Sequence, residues 1–232
     1  MYNKIDLKNK LESIHRKSYL AYKSLRGSYT FGDFVLSIDH VQGDPFAAPS
    51  SLHVELPLKK AGFPEKYLEK RHTKTALEDL ILRSYSKALD QYSFKAKGSG
   101  KSGLISTSRP GPEVMRRTAV EFNNIALLAR FEVGFPANGR TINAQELEKI
   151  LLEFLPQIVK TCLFYRSWEK AKIQDCYELA ENQQRIREVL EERKLVAFCA
   201  NGSILPRKSG VPSQPLKDAI EFQSPESMEI SI

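Results

Sequence analysis

Residues 98–103, Gly-Ser-Gly-Lys-Ser-Gly, contain the Gly-Lys-Ser triplet that closes a phosphate-binding loop. Such a loop also needs a glycine five residues before its Gly-Lys pair, where this chain carries Lys95. A strand must precede it and a helix must follow, so that helix N-terminal amides face the phosphates. The residues that follow, Leu104 to Pro110, read as a strand instead. The spacing therefore does not specify a grip of that kind on a nucleotide. The backbone of Gly98, Ser99, Gly100, Lys101 and Ser102 can still offer N–H groups to an anion. Lys95, Lys97 and Lys101, with Arg109, Arg116 and Arg117 after them, would form a basic strip suited to an RNA or DNA backbone if 93–108 is a loop entering a strand. A solvated Gly/Ser hairpin would carry the same residue types. Tyr92 and Phe94 are the aromatics close by, too few to indicate base-by-base readout.

Asp33, Asp39, His40 and Asp44 form a second cluster with acid–base chemistry. Adjacent residues on a strand point to opposite faces, which separates Asp39 from His40. Asp33 and Asp39 would lie roughly 20 Å apart along an unbroken strand, too far to share a metal ion. Asp44, before Pro45, suits a turn, and Arg26 is a partner for one of these carboxylates. The run from Gln42 to Ser50 reads as a binding or interdomain loop. A small enzyme built on Asp39 and His40 remains an alternative. Arg207 and Lys208 precede Ser209-Gly210 on a third, basic loop that suits nucleotide or nucleic acid as well as solvent. Cys162, Cys176 and Cys199 form no Cys-x-x-Cys pair, and the four histidines show no metal-ligand spacing. Cys162 and Cys199 are expected in the core.

These residues need a scaffold of mixed α and β type. Periodicity predicts a helix over 4–23, with Leu7, Leu11, Ile14 and Leu20 on one stripe, closed by Gly27. Strands follow at 33–41 and 51–56, then a helix at about 73–92 that Thr73 can cap. Residues 103–108 alternate, and 125–135 reads as strand with a helical option at its start. Asn138-Gly139 signals a turn. Asn143 and Glu146 suggest a capping box on a long helix that Pro156 kinks or breaks. A helix spans about 168–193. The apolar run 195–200 reads as a buried strand, returning through an Asn201-Gly202 hairpin to 203–205. Residues 206 onward, with Pro212 and Pro215, read as loop, and 228–232 as the start of a strand.

Length and charge set limits. The chain has 232 residues and a formal charge of +7, which permits a polyanionic partner or a basic surface in solvent. Hydrophobic residues make up 41%, enough for a packed core. The polar start lacks the apolar stretch of a signal peptide, and no apolar run nears the ~20 residues of a membrane span. The expectation is a cytoplasmic protein without membrane contact.

Three unusual segments occur in order: RGSYTFGDFVLSIDHVQGDPFAAPS at 26–50, GSGKSGLISTSRPGPEV at 98–114, and NGSILPRKSGVPSQPL at 201–216 followed by FQSPES at 222–227. Together they resemble the ATPases of the ABC class. The resemblance implies an α+β fold with a mixed, largely antiparallel sheet and at least four helices, plus the beginning of a second, ATPase domain. It implies an N-terminal domain at 1–168 and a leading ATPase segment at 169–232. It also implies ATP and Mg²⁺ as cofactors of the full-length family, with neither fully bound by this chain alone. In that family the phosphate loop follows FQSPES, so the expectation is the front part of such an ATPase, without catalytic residues of its own. Phe222 would then correspond to the aromatic that stacks on adenine. The expected partners are the ATPase core of the same protein and RNA or DNA. A homodimer is one assembly open to the full-length form, and a stand-alone basic module is the alternative reading.

Overall fold

The computed structural model describes residues 2–211 and 214–229. They form two compact units, Met1–Cys176 and Tyr177–Ile232. The first is α+β. Its strands are β1 (Tyr2–Asn3), β2 (Gly27–Thr30), β3 (Val35–His40), β4 (Ser50–Pro57), β5 (Ile105–Ser106), β6 (Val120–Phe122) and β7 (Ala126–Val133). They form one sheet in the order β1-β2-β3-β4-β7-β5, with β6 also on β7. Every pairing in it is antiparallel except β1 with β2. A two-stranded ribbon, β8 (Ala137–Asn138) with β9 (Thr141–Ile142), stands apart.

Period-two alternation explains the layers. Leu36 and Ile38, Leu52, Val54 and Leu56, and Leu127, Ala129, Phe131 and Val133 are all buried. Tyr85, from helix α3 (Arg71–Tyr92), meets the Phe131 ring edge-on, so the helices cover this face. The opposite face is polar: Ser28, Ser37, His53 and Arg130 follow one register line across β2, β3, β4 and β7.

Several boundaries differ from the sequence reading, each for a local reason. Helix α1 (Lys4–Ile14) ends early, because Arg16 takes φ 61° and the backbones of Arg16, Lys17 and Tyr19 instead bond to Ile142 and Arg140. A 3₁₀ helix, Tyr19–Leu25, follows and leaves Leu20 exposed; Gly27 belongs to β2. Asn3 caps α1, accepting from the Asp6 amide while Asp6 accepts from the Asn3 amide. A short α2 (Leu58–Ala61) lies between β4 and α3. Thr73 does not cap α3; its hydroxyl donates to the Lys70 carbonyl. Asn143 makes no side-chain cap at α4 (Ala144–Glu148), and Glu146 accepts instead from the Lys97 amide. Pro156 does not break the chain. A π-helical turn over Lys149–Phe154 leads into α5 (Leu155–Cys162), placing Pro156 in its first turn, where no amide is required.

Helix α6 (Lys170–Glu192) enters the second unit. Beyond it, 195–200 is not a buried strand: Val196 is fully exposed, and Leu195 and Phe198 are exposed too. The turn at Asn201-Gly202 is present, but its partner is Phe222. The Gly202 amide donates to Phe222 O and the Phe222 amide to Ser203 O, at 2.8 and 2.9 Å. Cys199 is half-buried rather than in a core. A 3₁₀ turn occupies Glu226–Met228 where a strand was expected to begin; Pro212 and the expected strand residues 230–232 lie outside the described residues.

Candidate functional site

Three loops converge beside β5, and one buried side chain ties two of them. Gln42 Oε1 accepts from the amides of Ser50 and Phe135, both at 3.2 Å, while its Nε2 donates to Asp44 O. Gln42 is 1% exposed, so this neutral amide organises the loop from within. Asp44 Oδ1 accepts from the Phe46 amide, and Arg140 Nε donates to Asp44 Oδ2 at 3.0 Å.

The Gly98–Gly103 segment packs into this junction. Its Ser99 amide donates to Ala137 O, its Lys101 amide to Pro45 O, its Ser102 amide to Ser99 O and its Gly103 amide to Gly134 O, at 2.7 to 3.1 Å. The Ser99 and Ser102 hydroxyls accept from the amides of Gly139 and Ala137. Gly103 (φ +78°) and Gly134 permit close approach: an added Cβ would meet Ala96 O at 2.1 Å and Lys101 O at 1.8 Å. These amides thus face the protein's own carbonyls, and β5 rather than a helix follows. What remains outward is Gly98, Gly100, the Lys101 side chain and an exposed Phe46.

The six cations of the basic strip differ in their engagements. Lys95 lies over the Tyr92 ring, 4.4 Å from its centroid. The Lys97 and Arg116 side chains are exposed, and Arg109 reaches Asp90 at 2.8 Å on an open surface. Arg117 is different. It pairs with Asp79, which is buried and also accepts from Arg83 Nε at 2.6 Å. Both guanidiniums donate to Glu113 O as well. Arg117 therefore fastens the 109–118 segment to α3.

The acid cluster is rearranged by a β-bulge. The register steps from Ile38–Leu52 to His40–Ser51, so two residues of β3 oppose one of β4. Asp39 and His40 are consequently both exposed, instead of one facing in. Asp39 does not pair with His40. Its Oδ2 lies 2.6 Å from Nδ1 of His53, on the neighbouring strand. Arg26, Ser28, Ser37, His53 and Glu55 line the cleft around this pair. Asp33 instead meets Lys60 at 3.4 Å. Sequence reasoning passed over His53; the available signal was Ser51, His53 and Glu55 alternating along the polar face of a well-marked strand.

In the second unit Phe222 forms a wall of a cleft of about 820 Å³, with Arg193, Leu195, Phe198 and Asn201. The Asn201 side chain accepts from the Ser224 amide and donates to Glu229 Oε1. Arg207 and Lys208 are exposed, on a loop closed by Lys208 N donating to Gln214 O. Among the described residues no group of three or more His, Cys, Asp or Glu could hold a metal ion, and no helix is long and apolar enough to cross a membrane.

An α+β unit is followed in the chain by a second, smaller compact unit. Residues 4–166 match the N-terminal domain of the ATPases of the ABC class, and residues 169–232 match that family's P-loop domain. The chain belongs to this family. The Gly-Lys-Ser triplet at 100–102 falls within the N-terminal match. No curated protein matches the chain.

Proposed function

We propose that this chain acts in an ATP-dependent enzyme of the ABC class as the unit that contacts nucleic acid, with residues 169–232 contributing to the nucleotide site. The observation that carries the reading is the placement of the outward cations. Lys97, Lys101 and Arg109 lie just before and after β5 in the chain, at the edge of the sheet, where Lys101 stands on a loop braced by Pro45, Ala137 and Gly134. A rigid, basic edge suits a phosphodiester backbone and carries no device for reading bases.

Membership of the family implies ATP and Mg²⁺. The cleft at Phe222 fits the base: an aromatic wall, apolar Leu195 and Phe198, and enough volume for a purine. The Gly98–Ser102 loop does not fit the triphosphate, because the amides of Ser99, Lys101 and Ser102 already donate to carbonyls of the protein and no helix follows them. ATP supplies the free energy of its hydrolysis; Phe222 would orient the base and Arg193 would offset charge nearby. Arg207 and Lys208 lie on an exposed loop, open to either polyanion.

The test is binding of a short single-stranded RNA, and of the same sequence as DNA, across a salt series. The expected slope of log K against log salt is about −0.7 per phosphate contacted. Lys97→Ala and Lys101→Ala should each lower that slope by roughly one contact. Salt-independent binding, or binding untouched by either change, sinks the reading.

A further inference from the structure

We infer that the exposed ring of Phe46 is a stacking platform for a base of a single nucleic-acid strand, beside the Lys101 side chain. It rests on the reading that this edge of the sheet meets nucleic acid, and adds a base contact to it.

The fixed presentation of the ring carries the argument. Phe46 is 65% exposed, yet the loop that bears it is held from several sides. Its amide donates to Asp44 Oδ1 at 3.0 Å, and the Ala47 amide donates to Asp44 O at 3.1 Å. Asp44 is bonded in turn by Arg140 and by the buried Gln42. The preceding carbonyl, Pro45 O, accepts from the Lys101 amide at 2.9 Å. Gly100 gives the ring its room: a Cβ there would lie 3.0 Å from Phe46 Cδ1. A flat partner thus meets a ring on a preorganised turn, and little chain freedom is lost on binding. Tyr92, by contrast, is taken up by Phe154, at 4.8 Å between centroids, and by Lys95; among the described residues no ring stacks on Phe46 and no cation lies over it.

Charge completes the fit. Asp44 is answered by Arg140 at 3.0 Å and Glu146 by Lys149 at 2.5 Å, while Lys101 makes no ion pair among the described residues. The Phe46 ring and the Lys101 side chain leave their two loops next to the bond between Pro45 O and the Lys101 amide. A strand along this edge would set a phosphate at Lys101 and a base on Phe46. Every base has a π-face, so the contact adds affinity without reading sequence.

The test is a set of anisotropy titrations with a labelled single-stranded RNA at two salt concentrations, on the full chain and its variants, with inorganic polyphosphate as the polyanion that has no bases. Phe46→Ala should lose at least ~fivefold in RNA affinity, with the salt slope and polyphosphate affinity unchanged. Phe46→Trp should keep RNA affinity, and its emission, above that of the single native tryptophan, should be quenched by RNA and not by polyphosphate. Ile125, 75% exposed on the turn between β6 and β7, is the control, and Ile125→Ala should bind RNA as the native chain does. RNA affinity that is unchanged in Phe46→Ala, that falls together with polyphosphate affinity, or that falls equally in Ile125→Ala overturns the inference. If Phe46→Ala is silent while Lys97→Ala and Lys101→Ala lower the salt slope, the basic edge stands and the stacking falls. If Phe46→Ala alone weakens RNA, the stacking stands and the placement of the backbone on the lysines falls. A native chain that binds no RNA sinks both.

Discussion

His53 Nδ1 lies 2.6 Å from Asp39 Oδ2, joining two antiparallel strands on the open face of the sheet. A carboxylate only accepts, so Nδ1 carries a proton, and in the neutral ring Nε2 is the acceptor. The bulge that exposes both Asp39 and His40 selects which histidine is oriented: the cross-strand neighbour and not the adjacent residue.

Nitrogen-resolved NMR should accordingly find neutral His53 as the Nδ1–H tautomer, with His40 showing the ordinary preference for Nε2–H. Asp39→Ala should return His53 to that preference while changing stability by no more than about 1 kcal/mol, since the pair is half-exposed. An unchanged His53 tautomer in Asp39→Ala would refute the assignment.

Asp79 is the structural counterpart. Its side chain is 2% exposed and serves Arg83 and Arg117 together. Removing it leaves two guanidiniums without their anion, one of them largely buried. Asp79→Ala should cost about 3 kcal/mol in urea unfolding. Asp90→Ala, which breaks the open Arg109 pair, should cost less than about 1 kcal/mol. Equal costs for the two would show that the Arg117 fastening does not hold the 109–118 segment.

Legibility in the sequence followed periodicity. The strands at 33–41 and 51–56 and the helix near 73–92 were readable because alternation or a 3.6-residue stripe ran the full length of each. The end of α1 was not, since it depends on Arg16 at positive φ and on bonds to residues more than a hundred positions away. Local pattern also misled at 195–200, whose apolar residues remain exposed in this unit. For the site, residue types pointed to the right loops but not to partners. Ser99 and Ser102 bond to the 137–139 turn, and Asp39 finds His53 through strand register; neither relation has a sequence spacing to read.

Glu78 gives a pH dependence with a definite sign. Burial raises its carboxyl above the usual 4.5, and the Phe122 amide it accepts, at 2.8 Å, only partly opposes this. The folded state therefore holds this proton more tightly than the unfolded chain. Its contribution to stability is full below the unfolded value and is lost as pH rises through the folded one. Glu78→Gln keeps an acceptor for Phe122 and removes the titration. Stability of the native chain should decline relative to Glu78→Gln as pH climbs above about 4.5 into the neutral range; parallel profiles for the two would contradict the burial argument.

The Gly98–Gly103 segment separates stability from binding most sharply. An alanine Cβ at Gly134 would sit 1.8 Å from the Lys101 carbonyl oxygen, so the two loops must part to admit it. Gly134→Ala should lose at least about 2 kcal/mol, by the mechanism of overpacking. Gly43, with nothing within 4 Å of its Cβ position, should accept alanine within about 0.5 kcal/mol. Lys101→Ala removes only an exposed side chain; it should leave unfolding unchanged and weaken polyanion binding. If the loop instead gripped phosphate through its backbone, ligand would have to free the amides of Ser99, Lys101 and Gly103 from Ala137, Pro45 and Gly134. Hydrogen exchange at those amides would then accelerate on adding nucleotide. The packing predicts that they stay protected with and without nucleotide, whereas the Lys101 side chain responds to RNA.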